Sequence, residues 1–353
     1  MKTKRFLPVI LILSIFCLSG NILYAQTQVK EIKKDFQINK GDVLSMENKF
    51  GNIDILNWEK PEISISVKLS AEGRNDATAK GFLDKISIEI IKENNTVSVM
   101  TKLDNESGMS KGNQLSINYT VYAPEWINLN LNNKFGNIHI NEISGLVNID
   151  LKYGDMKITR LSRGNEKPFS NITLAFANGV IEQSGSLKLV LSYSKLEVEN
   201  AEILSAESKY SGINVTSCNS FICESKYDNF KFSEIRNLIG DLQFSNLRAG
   251  TISGKLELDS KYSGVKIDQV LPSFENIKIN NDKGGYKIGL DPETSFELTG
   301  TSDRGDISVE GYTILEKKTD GTSKYIRATG GTKSSGKLIN ITVVDGAVSL
   351  FSN

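Results

Sequence analysis

The chain has 353 residues, with 42 basic and 42 acidic side chains, one histidine and three cysteines. Balanced charge leaves no electrostatic footprint for nucleic acid, a single histidine rules out a multi-histidine metal centre, and so few cysteines cannot form a disulfide framework. Six prolines against 29 glycines suit short strands and frequent tight turns rather than long helices.

Residues 1–25 read as a secretory leader: a basic start with Lys2, Lys4 and Arg5, an apolar stretch over residues 6–18, and a small-residue cleavage site at Ala25. The apolar stretch is interrupted by Pro8 and is shorter than the roughly 20 residues that span a bilayer. A lipoprotein signal would place a small residue before Cys17, and Phe16 stands there instead. Removing the leader leaves 39 basic against 42 acidic side chains, a net of −3. The expectation is an exported protein of the periplasm, outer-membrane surface or exterior, with no transmembrane segment after cleavage.

Residues 26–58 contain a first copy of a short motif, Lys49-Phe50-Gly51-Asn52-Ile53-Asp54-Ile55. The next copy does not begin until Lys134, so residues 59–122 read as an insertion. Its runs at 63–69, 86–90, 97–99 and 115–121 alternate apolar with polar residues, as half-buried antiparallel strands do. Asn94 and Asn95 form a turn signal, and Asn75 or Asp76 begins a short helix reaching to Lys85.

From residue 123 to 311 the motif becomes a repeat. An aromatic is followed by a small residue, a turn residue, and an apolar-polar-apolar triplet: FGNIHI from Phe135, YGDMKI from Tyr153, YSKLEV from Tyr193, YSGINV from Tyr210, YDNFKF from Tyr227, FSNLRA from Phe244 and YSGVKI from Tyr262. Phe176 begins a blurred copy, and Lys283 and Arg304 carry the pattern on without the aromatic. The spacing is constant from Phe176 through Tyr193, Tyr210 and Tyr227 to Phe244, and it lengthens beyond Tyr262. With the aromatic as position zero, apolar residues fill the position six before (Leu187, Leu204, Phe221, Leu238, Leu256), four before, and three and five after (Ile213 and Val215, for instance). A repeat of about 17 residues at about 3.3 Å each traces a contour of roughly 56 Å, enough for two short strands and two turns. A helix per repeat would not fit. The pattern predicts an all-β, single-stranded parallel β-solenoid, right-handed by the usual crossover rule. Its rungs, of about 17 residues at first and about 21 residues later, would stack in vertical register. The parity of position zero matches the leucines before it, so the aromatics are expected inside, and the Gly, Ser, Asn or Asp pairs that follow are expected to take the left-handed backbone of the corner. Ser208, Ser225 and Ser260, two before the aromatic, then point inward, and their hydroxyls need partners in one another or in the backbone. At the end, residues 312–353 read as a hairpin around Asp320-Gly321 followed by a capping rung.

The motifs at Lys49–Ile55 and Lys134–Ile140, with Ala123-Pro124 leading into Leu129 and Leu131, resemble the family of exported bacterial putative adhesins built from β-strand repeats. The resemblance implies a parallel β-solenoid in or outside the cell envelope and carries no catalytic residues.

Candidate chemistry is sparse. His139 occupies an outward position, Cys218 and Cys223 fall in inward columns where a bond between them would have to cross the rung, and Asp155, Asp228 and Asp306 sit at turns of separate rungs. Lys49, Lys134, Lys152, Lys209, Lys226 and Lys261 each precede an aromatic, so Lys209 and Lys226 should stand one above the other outside. No catalytic, cofactor or metal residues are assigned. The expected function is a non-enzymatic binding or scaffold protein whose partner is a glycan, an envelope component or another protein. A polysaccharide-active β-helix enzyme and a periplasmic accessory of envelope stress or signalling are the alternatives.

Overall fold

Alternating apolar side chains can be buried on one face only by a strand, and here they commit nearly every rung to strand. The computed structural model describes residues 26–104, 115–331 and 336–353; the leader expected at 1–25 lies outside the described residues. The protein is a β-solenoid whose rungs pair in parallel. Strands Lys195–Lys209, Gly212–Lys226 and Asn229–Gln243 stack with like above like, Leu196 on Ile213 on Phe230 and Leu204 on Phe221 on Leu238. These columns are buried throughout. Volume is exchanged within a rung: Phe230 and Phe232 both meet the edge of Phe221, while the same circuit carries Gly240, where an added Cβ would lie 2.6 Å from Cys223 Sγ. Large and small residues thus fill one cross-section at interior density.

The insertion does not break the ladder. Val43–Lys49 pairs in parallel with Asn128–Lys134, and Ile53–Asn57 with Ile138–Ile143. On the opposite edge of that first rung, Thr96–Leu103 and Leu115–Ala123 add a further parallel layer, continued antiparallel by Glu62–Gly73 and Gln26–Gln37. Asn75 caps the helix Asp76–Leu83 by accepting the Thr78 N–H at 2.9 Å. The hairpin Ile86–Glu93 to Thr96–Leu103 turns at Asn94, in the left-handed region.

The far end departs from chain order. Leu338–Val344 lies between Asn276–Asp282 and Phe296–Asp303, and Ala347–Ser352 lies between Gly285–Leu290 and Asp306–Glu310. The last rung in sequence is therefore wedged inside the stack, not laid over its end. The antiparallel strands Ser323–Gly330 and Thr313–Asp320 cover the edge instead.

The corner corrects two expectations. The left-handed residue is the aromatic itself, with φ between 50° and 65° at Phe50, Phe135, Tyr153, Phe176, Tyr193, Tyr210, Tyr227, Phe244 and Tyr262, and at Lys283 and Arg304 in the later rungs. That backbone turns the ring outward beside the preceding outward residue, a lysine at six of the nine corners and Ala175, Ser192 or Gln243 at the others, so two successive side chains share the outer face. The eight rings from Phe135 to Tyr262 are 39 to 54% exposed and do not form a core ladder. Parity held the signal: the inward columns nearest the corner fall at even positions before the aromatic and at the first, third and fifth positions after it, which requires such a doubled step at the corner.

The residue after each aromatic points in and ties rungs together. Ser194 Oγ accepts the Ala177 N–H, Ser211 Oγ the Ser194 N–H, Asp228 Oδ1 the Ser211 N–H, Ser245 Oγ the Asp228 N–H and Ser263 Oγ the Ser245 N–H, all between 2.7 and 3.2 Å. At Gly51, Gly136 and Gly284 an asparagine three residues earlier supplies the bonds: Asn48 Nδ2 and Asn133 Nδ2 donate to the Gly51 carbonyl and Asn281 Nδ2 to that of Gly284. Of the inward serines, Ser225 donates to Asp228 Oδ2 at 2.9 Å and lies 2.8 Å from Ser245 Oγ, so its hydroxyl is satisfied by side chains of the corner.

Candidate binding ridge

Corners in vertical register put their rings in vertical register. Phe50, Phe135, Tyr153, Phe176, Tyr193, Tyr210, Tyr227, Phe244 and Tyr262 form a continuous stack with centroids 4.9 to 5.4 Å apart and planes within 17° of parallel. The spacing is that of the strands beneath, and the ridge runs roughly 40 Å along the solenoid. Each ring turns its faces to its neighbours and its edge to solvent. A sugar or base that stacks on an aromatic face finds none free along the row, whereas ring edges and tyrosine hydroxyls are open.

Lysines line one flank. Lys49, Lys134, Lys226 and Lys261 place Nζ 5.0 to 5.8 Å from the centroid of the ring that follows each, at a distance where the cation is attracted to the ring quadrupole. Lys209 stands directly above Lys226, as expected. At the far end Lys283 lies 5.3 Å from the Tyr262 centroid and donates to its hydroxyl at 3.3 Å, so a lysine closes the stack where the tenth aromatic would be. Behind the lysines a groove of about 700 Å³ is lined by Lys209, Lys226 and Lys261 and by a column of acids, Glu207, Glu224, Asp241 and Asp259. The ridge therefore presents aromatic, basic and acidic stripes side by side.

The other candidate residues do not converge. His139 is exposed, its Nδ1 2.7 Å from Asp54 Oδ1 one rung away. Cys218 and Cys223 are free, buried thiols; burial pushes the Cys218 thiol up to about 11 and that of Cys223 higher still, so neither is a ready nucleophile. Asp155 accepts from Asn178, Asp306 pairs with Lys324 at 3.0 Å, and Asp228 is buried in its corner. Among the described residues no group of three or more His, Cys, Asp or Glu side chains is placed to hold a metal, and no helix is long and apolar enough to cross a membrane.

Fold and surface together define a parallel β-solenoid with one continuous exposed aromatic ridge. No family model and no curated protein matches the chain. Among solved structures it is similar to a putative adhesin from Parabacteroides distasonis ATCC 8503, at 7% identity over 91% of this chain and 97% of that one, with a TM-score of 0.39. A putative adhesin from Bacteroides fragilis NCTC 9343 aligns at 11% identity over 92% and 97%, with a TM-score of 0.33. A protein from Parabacteroides distasonis ATCC 8503 described as a putative lipid binding protein aligns at 9% over 91% and 96%, with a TM-score of 0.24.

Proposed function

We propose that the chain is an exported, non-catalytic binding module of the cell envelope that docks a partner along the aromatic ridge. The observation that carries this reading is the exposed stack itself. A corner needs only a residue that tolerates positive φ, and glycine or asparagine does so at least cost. Nine rungs use phenylalanine or tyrosine instead and leave most of those rings open to solvent. A contiguous apolar strip rimmed by polar side chains is the usual mark of an interaction surface. Because edges rather than faces are presented, the ridge suits a broad partner surface, a protein or an envelope component, better than a stacked sugar. In this reading residues 59–122 and the antiparallel strands Thr313–Asp320 and Ser323–Gly330 shield the ends of the stack from edge-to-edge pairing.

The test is cosedimentation of purified residues 26–353 with envelopes of the native host, comparing the unaltered chain with Tyr193→Asn, Tyr210→Asn and Tyr227→Asn combined. Asparagine keeps the left-handed corner while removing three adjacent rings. Loss of cosedimentation at unchanged circular dichroism is the expected result; equal binding by the variant rules the ridge out.

A further inference from the structure

A second outward column, four residues after each corner, carries a different chemistry. Lys231 lies in register with Arg248, Arg248 with Lys266, and Lys266 with Lys287. Four exposed cations thus stand one above another at the strand spacing of about 4.8 Å. Like charges directly opposite each other on adjacent strands destabilise a sheet, and several outward lysines of other columns are paired with acids: Lys195 with Glu197, Lys188 with Glu207, Lys157 with Glu182 and Lys261 with Asp282. Here the pairing fails. Lys266 alone has an acid, Asp268 at 2.7 Å, while Lys231, Arg248 and Lys287 form no ion pair with a described residue.

The neighbouring outward column is correspondingly small. Asn229, Asn246, Gly264 and Gly285 stand beside the cations and open a shallow groove of about 600 Å³ that Arg248, Lys266 and Lys287 line. At Gly285 an added Cβ would meet nothing within 4 Å, so the groove floor is open to a ligand chain. The arrangement supplies a row of positive charges with side-chain amides alongside, at a repeat set by stacked strands.

We propose that this column is a binding site for a linear acidic polysaccharide carrying one carboxylate per sugar, lying parallel to the solenoid axis. The cations meet the carboxylates, and Asn229 and Asn246 bond sugar hydroxyls. A polyuronate fits better than a nucleic acid. The groove beside the cations presents no exposed ring on which bases could stack, its one lining aromatic, Tyr286, being buried, while its asparagines and open glycines suit hydroxyl-bearing sugars. The site lies on the strand after the corner and uses none of the ridge, so each can fail without the other.

The test is affinity electrophoresis of residues 26–353 through gels containing polygalacturonate, neutral dextran or a single-stranded oligothymidylate. Retardation is expected in polygalacturonate alone, declining with added salt, and not competed by galacturonate monomer. Removing cations from the exposed column weakens it by about fivefold each for Lys231→Ala, Arg248→Ala and Lys287→Ala, and the triple variant migrates as in dextran. The asparagine variants of the ridge should be retarded as strongly as the unaltered chain. No retardation in polygalacturonate, undiminished retardation of the triple variant at an unchanged melting temperature, or equal retardation by oligothymidylate would each overturn the proposal.

Discussion

The left-handed corner makes Tyr210 a position where alanine and glycine should change places in the usual order of stability. Tyr210 has φ of 52° and stacks on Tyr193 and Tyr227, each at 4.9 Å. Truncation to alanine forfeits two ring contacts at about 0.5–1.5 kcal/mol each and keeps a Cβ in a backbone region that costs an L-residue about 1–2 kcal/mol. Tyr210→Ala should therefore destabilise the protein by about 1–3 kcal/mol. Glycine forfeits the same contacts but sheds the Cβ strain, against which its larger unfolded-state entropy of about 0.5–1 kcal/mol must be set. Tyr210→Gly should be the more stable of the two variants by roughly 0.5–1 kcal/mol, the reverse of an ordinary strand position. Urea unfolding of both variants, followed by circular dichroism, measures the difference directly. An alanine variant more stable than the glycine variant would refute the assignment of positive φ to the ring-bearing residue, and with it the geometry of the ridge.

Other consequences concern the interior. Ile213 is fully buried between Leu196 and Phe230 in its column, so Ile213→Asp loses its burial and places a charge where no cation can reach it; about 4–5 kcal/mol should be lost and several rungs should melt together, whereas an unchanged melting curve would contradict the inward column. Asp228 is the one carboxylate in a corner column otherwise filled by serine, alanine and glycine, and burial holds its carboxyl above the usual range against hydrogen bonds from the Ser211 N–H and the Ser225 hydroxyl. The folded state then holds the proton more tightly than the unfolded chain, so this group's contribution is fully present below its unfolded pKa and is lost as pH rises through the folded one. Asp228→Ser, which restores the column's usual bond, should raise stability by about 1 kcal/mol at neutral pH. The gain should shrink at pH 4, and a gain of the same size at both pH values would remove the buried carboxylate from the account.

Composition and repetition alone established the solenoid. A period of about 17 residues with apolar side chains at fixed offsets can be buried only by stacking circuits in register, because each column must meet its own kind one strand spacing away. The positions of Leu204, Ile213 and Phe221 follow from that pattern without coordinates. The outward turn of Tyr210 does not, since alternation is a rule for extended backbone and one residue of positive φ reverses it. Hydroxyl and amide links such as Ser211 to Ser194, and the wedging of residues 338–352 between earlier rungs, depend on pairing among strands distant in the chain. The cation column from Lys231 to Lys287 was present as single letters in the repeat, yet only the stacked register shows four charges on one line with too few acids beside them. Local pattern decides which side chains go in; the hand of one dihedral and the order of the rungs decide what the surface displays.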